Sequence, residues 1–177
     1  MVTSDVVGTQ RRLAFGPRRG IYLDVRDVIA RDGAPLDAAT LEQLESFDLV
    51  YRSLVAAMFN YVPLSGHPGG SISSGRFVQA LIFGAMDYDL SDPDRRDADL
   101  ITYAAGHKAL GLYALWALRN EVARLAAPEL LPAREAKQLR IEDLLGFRRN
   151  PITATPLFTK FGAKALDGHP TPGTPFV

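Results

Sequence analysis

The sequence has no cysteine in its 177 residues. That excludes a disulfide, a thiolate nucleophile and any cysteine-ligated metal, and it fits a reducing compartment. There is no charge excess either. The 20 basic and 20 acidic side chains cancel, so neither a nucleic acid nor an anionic membrane surface is expected as a partner. Long apolar runs are missing, and none approaches the ~20 residues that a membrane span needs. Met1 to Gly20 is polar and lacks the apolar core of a secretory signal, while Asp5 and Pro17 suit a transit peptide poorly. The default expectation is a cytoplasmic protein. Histidine is scarce: there are three, and each follows a glycine, at Gly66-His67, Gly106-His107 and Gly168-His169.

What is present is the composition of a soluble globular domain, with 47% apolar and 23% charged residues. Residues 1 to about 36 carry little pattern and read as an extension, with a short strand expected at Ile21 to Val25. From residue 37 the chain reads as one domain. Thr40 is placed as a helix N-cap, followed by Leu41, Leu44, Phe47, Tyr51, Leu54, Val55, Met58 and Tyr61 at steps of three and four. Pro63 ends that pattern. Ser73 or Ser74 is expected to cap a second helix. Its body, Phe77 to Met86, is apolar on every side, which predicts burial all round. Leu100 to Ala104 reads as a buried strand running through Gly106-His107 into a helix from about Lys108 to Arg124, with Leu110, Tyr113, Ala114, Ala117 and Leu118 on one face. Strand, glycine turn and helix make the start of a βα unit, and ligands in open α/β sheets bind at such strand ends. A helical excursion is expected over residues 126–140 and a short helix at Ile141 to Arg149. Buried-type helices are several and strands few, so the chain is expected to be helix-rich: either the helices pack on one another, or the sheet is incomplete because the chain is part of something larger.

Histidines beside glycines suit proton exchange with a polar ligand that approaches the backbone closely. The acidic stretch from Asp87 to Asp99 superficially suggests a calcium loop. Its spacing is not that of an EF-hand, no closing glutamate follows, and Pro93, Arg95 and Arg96 interrupt it. The histidines lack the short spacings of zinc ligands. No metal ligand is therefore assigned.

The order of motifs resembles the transketolases, which use thiamine diphosphate. Ser65-Gly66-His67-Pro68-Gly69 follows a helix, then come Asp92-Pro93, Arg96-Asp97 and the expected strand Leu100 to Tyr103. Gly106-His107, Leu112-Tyr113, Leu144-Leu145-Gly146-Phe147-Arg148, Gly168-His169-Pro170 and Pro172-Gly173 complete the series. The resemblance implies an α/β fold, the N-terminal part of a thiamine-diphosphate-binding domain with a parallel sheet flanked by helices. It implies transfer of a two-carbon ketol unit from a ketose to an aldose, with Mg²⁺ beside the cofactor. His67 corresponds to a catalytic histidine that contacts substrate, His107 with Gly106 to the cofactor-contacting pair, His107 also taking part in catalysis, and His169 to a substrate-hydroxyl ligand. It further implies sugar or sugar-phosphate substrates and a homodimer of the complete enzyme.

The departures are specific. Ala104-Ala105 stand where Ser-Asn is usual, Lys108 where glycine is common, and Thr171 where an acid is usual. Lys108 adds a cation that could meet a phosphate or carboxylate. The Gly-Asp-Gly motif that holds the metal, the glutamate that activates the cofactor and the sugar-phosphate arginines have no counterpart in residues 37–177. The expected reading is a segment ending before the metal motif, inactive alone and working with the remainder of a transketolase polypeptide or a companion subunit. The alternatives are a degenerate, non-catalytic interaction module and a part of another thiamine-diphosphate enzyme.

Overall fold

The structure, a computed structural model, describes residues 9–12, 21–24, 33, 36–62, 66–101, 103, 105–148 and 156–166. The chain divides into two units, Met1–Gln43 and Leu44–Val177.

In the first unit, β1 (Thr9–Arg12) and β2 (Ile21–Asp24) pair antiparallel, with Thr9 opposite Asp24 and Arg12 opposite Ile21. The strand expected at Ile21 is there. Its polar partner, Gln10-Arg11-Arg12, lacks the β-branched and aromatic residues that signal a strand. The helix α1 (Ala38–Tyr61) starts in this unit. Its cap is Asp37, not Thr40: the Thr40 backbone N–H donates to Asp37 Oδ1 at 2.9 Å and its hydroxyl to Oδ2 at 2.6 Å. Those bonds hold the Asp37 carboxyl below the usual carboxylate range. An Asp-x-x-Thr pattern serves both partners at once, which is why the helix begins a turn earlier than the apolar periodicity implies.

The second unit is helix-rich. It comprises the rest of α1, α2 (Gly69–Gly84), α3 (Ala109–Ala126), the short α4 (Pro156–Phe161) and 3-10 turns at Gly106–Lys108, Pro128–Leu130, Glu135–Lys137 and Ile141–Gly146. No parallel sheet is formed among the described residues. Of the strand expected at Leu100 to Ala104, the described residues Leu100, Ile101 and Tyr103 are irregular, while Thr102 and Ala104 lie outside the described residues. A strand persists only where a neighbour accepts its ladder hydrogen bonds, and no described segment pairs with this one. The one parallel bridge joins Phe147 to Leu166.

Burial of the helices is the reverse of the sequence expectation. The central helix is α3, where Ala109 to Leu118 are all buried and Leu110, Tyr113, Ala114 and Ala117 are fully so. By contrast α2 buries Val78, Gln79 and Ile82 but leaves Phe77 67% and Phe83 42% exposed. Phe83 meets Phe47 of α1 edge to face, with centroids 5.1 Å apart. Ser73 and Ser74 lie inside α2 and donate back to the Gly70 carbonyl, so neither is a cap. No helix among the described residues is long and apolar enough to cross a membrane.

A polar cluster joins α1 to α2. Buried Asp48 accepts from Arg52 Nε at 2.8 Å, Arg76 Nε at 3.0 Å and Gln79 Nε2 at 2.9 Å. Burial alone would raise the Asp48 pKa, but these donors outweigh it and hold the carboxyl below its ordinary value of 3.8. Near the chain's other end, Asp143 accepts from the backbone N–H groups of Arg140 and Lys164 and from Lys164 Nζ. That ties the segment ending at Leu166 to the Ile141–Gly146 turn, whose next residue, Phe147, packs on Tyr113.

Two outcomes follow. Leu112→Ala removes a fully packed side chain from α3 and is expected to cost about 2–5 kcal/mol. Phe77→Ala is expected to stay within about 0.5 kcal/mol, because that ring is mostly in solvent; urea midpoints of the two variants check the order. The lowered Asp48 pKa contributes stability that is present above pH 3.8 and lost as pH falls below it through the folded value. Thermal midpoints between pH 6 and pH 2 should therefore fall less steeply in Asp48→Asn than in the parent, whereas equal slopes would exclude Asp48 as a contributor.

Candidate functional site

The site is assembled by two turns that enter helices. Gly66 has φ +88°, a conformation that side-chain-bearing residues rarely adopt. It turns the chain so that His67-Pro68 leads into α2 with Pro68 at the cap position. The His67 ring folds back over the helix start: its Nδ1 is 3.8 Å from where a Cβ on Gly69 would stand. The second turn, Gly106–Lys108, is closed by Lys108 N–H donating to the Ala105 carbonyl at 2.9 Å. Gly106 is buried and His107 is exposed.

These turns bring His67 and His107 together. Their ring centroids are 5.5 Å apart and the planes are tilted by 40°. A Cβ on Gly66 would lie 3.5 Å from the His107 Cβ, so the backbone at 66 passes directly over His107. Lys108 lies across Gly70, with its Cγ and Cε 3.0 Å from the position of a Cβ there. Bulk at residue 70 would displace the lysine stem.

The starts of α2 and α3 both lie at this site. The first N–H groups of a helix lack intrahelical acceptors and carry partial positive charge. The first N–H groups of α2, the two imidazoles and Lys108 form a surface suited to an anionic or hydroxyl-rich ligand, whereas the start of α3 is closed by the 3-10 turn, where the Ala109 N–H donates to the Gly106 carbonyl. The imidazoles can accept or donate protons there. Among the described residues no group of His, Asp or Glu side chains is placed to hold a metal ion. The arrangement fits the anionic end of a cofactor and not, by itself, a divalent cation.

Of the residues singled out from the sequence, His67, Gly106 and His107 converge. His169 and Gly168 lie outside the described residues, as does Ser65. A separate cavity of about 30 Å³, room for a water molecule, lies under the Tyr88 to Asp99 connection and is lined by Arg119 and Lys137 but by no histidine. Burial lowers the Arg119 pKa while the guanidinium packs 5.2 Å from the Tyr88 ring. That gap belongs to the loop, not to the site.

Sequence reasoning missed the residues beneath the histidines. Tyr51 of α1 is 2% exposed and its hydroxyl donates to the Ser71 carbonyl at 3.1 Å. Burial pushes its phenol pKa up, with Tyr103 and Asp48 adding to the effect. The available signal was glycine inside helices, at Gly75 and Gly111, which costs about 1 kcal/mol against alanine unless close packing demands it.

No protein-family model and no solved structure matches the chain. Over 113 residues, 64% of its length, it is 30% identical to human transketolase. The chain is a distant relative of transketolase. It matches only 14% of that protein's length, so human transketolase contains far more than the part seen here. The transketolase likeness leaves the helix-rich architecture as found, since the parallel sheet is not seen among the described residues.

Gly75 tests the packing under the site. A Cβ there would stand 2.4 Å from Tyr51 Cε1. Gly75→Ala is expected to cost about 1–3 kcal/mol as the ring is forced aside, and Gly84→Ala, with nothing within 4 Å, should be neutral or slightly stabilising. Chemical denaturation of both checks the contrast.

Proposed function

We propose that the chain is the N-terminal segment of a transketolase-like transferase that moves a two-carbon ketol unit from a ketose to an aldose, and that it is inactive without further polypeptide. The observation that carries this reading is the meeting of His67 and His107, distant in sequence, at 5.5 Å where two helices begin. Thiamine diphosphate, when bound, supplies the group that accepts and passes on the ketol unit. His107 and Gly106 would hold its anionic end, aided by free N–H groups at the start of α2 and by Lys108. His67 would contact the sugar and exchange protons at a ring nitrogen, and His169 would take a sugar hydroxyl. These are roles for polar ligands, and exposed imidazoles are accessible for them.

Mg²⁺ would be held by residues outside this segment, because no described donor set fits it. The partner is accordingly the remainder of a transketolase polypeptide or a companion subunit, and the complete enzyme would be a cytoplasmic homodimer. The exposed Phe77 is a natural contact for such a partner.

Calorimetric titration with thiamine diphosphate and Mg²⁺ tests the reading. Binding is expected only when the chain is combined with a polypeptide carrying the Gly-Asp-Gly motif. In that complex His67→Ala and His107→Ala should each lower ketol transfer about 10²–10⁴-fold. Tight binding by the isolated chain would contradict the assignment of the metal ligands elsewhere. Absence of binding in both preparations would sink the enzymatic reading in favour of a non-catalytic interaction module.

A further inference from the structure

Beside the two imidazoles, Ser71 joins the start of α2 to the turn that carries His107. Ser71, in the first turn of α2, is 1% exposed. Its Oγ donates to the Lys108 carbonyl at 3.2 Å, in the turn that carries His107. Its own carbonyl accepts from the Tyr51 hydroxyl at 3.1 Å. The space is closed from the other side by Gly111 of α3. A Cβ at that position would lie 2.6 Å from Ser71 Cβ, 2.8 Å from Ser71 Oγ and 2.8 Å from the Tyr51 hydroxyl oxygen. Three helices therefore converge on Ser71, with His67 in the turn just before α2 and His107 one residue before the carbonyl that the Ser71 hydroxyl binds.

We infer that Tyr51, Ser71 and Gly111 form a positioning lock that sets the separation of His67 and His107. The hydrogen bond from Ser71 is the direct link between the two histidine-bearing turns. Tyr51 orients the Ser71 backbone, and Gly111 lets α3 approach closely enough for the bond to form. A misplacement of about 1 Å at reacting groups can cost on the order of 10²-fold in rate, so the lock matters to chemistry although none of its members faces a ligand. That chemical consequence rests on the transketolase-like reading; the geometric claim does not.

The experiment uses the full chain and compares Ser71→Ala, which keeps the Cβ and removes the hydroxyl, with the parent. In the parent, nuclear Overhauser contacts between the His67 and His107 ring protons are expected. In Ser71→Ala they should weaken or vanish while the thermal midpoint changes little. Disulfide closure gives a second readout that survives poor solubility, because the chain has no other cysteine. Gly66→Cys with His107→Cys places the sulfur-bearing carbons near 3.5 Å, within the range of disulfides, and the backbone strain at 66 is common to both backgrounds. Closure should be about tenfold or more slower when Ser71→Ala is added, as the effective concentration of one thiol at the other falls. Unchanged ring contacts and an unchanged closure rate would overturn the lock. Loss of both in Ser71→Ala, in a protein that never binds thiamine diphosphate, would uphold the lock and reject the enzymatic reading.

Discussion

Close approach of α2 to α3 is the constraint on which the site depends. It is permitted by Gly111, where a Cβ would collide with Ser71 and the Tyr51 hydroxyl, while Gly75 makes room on α2 for the Tyr51 ring of α1. A side chain at 111 would separate α2 from α3, and the Ser71 to Lys108 bond would then be out of reach. Helix propensity is given up locally to obtain packing that apolar volume alone cannot supply. The same approach brings two helix starts and two glycine-preceded histidines to one surface. Structural and chemical demands thus fall on the same few residues.

Around that contact the polar groups are satisfied in a way that ties segments distant in sequence. Asp48 gathers Arg52, Arg76 and Gln79 and so couples α1 to α2. Asp143 gathers Arg140 and Lys164 and couples the last described segment to the turn below α3. A carboxylate is expensive to bury without donors; Asp48 has four and Asp143 three. The acidic connection between α2 and α3 is held from outside, where Asp94 pairs with Arg134 and Lys137.

The likeness to transketolase and the geometry of the histidines are independent observations. One is a match across 64% of the chain; the other is a distance between two rings. The Lys108 stem lies over Gly70, which places a cation beside the histidine turn.

Local signals settled much of this protein in advance. The three long helices were legible from apolar spacing, Pro63 and the glycine turns, because those are short-range preferences of the chain. The Gly-His pairs were legible as candidates for chemistry, because imidazole titrates near neutrality and glycine admits close approach whatever the fold. Tertiary structure alone decided which helix became the core: α3 rather than the more uniformly apolar stretch of α2, since burial depends on what packs against a face and not on its composition. It also decided that Leu100, Ile101 and Tyr103 are irregular where a strand was expected, because a strand's hydrogen bonds belong to a neighbour that its own residues do not specify. Last, it placed His67 against His107, through a serine, a tyrosine and two helical glycines whose separations in sequence carry no sign that they meet.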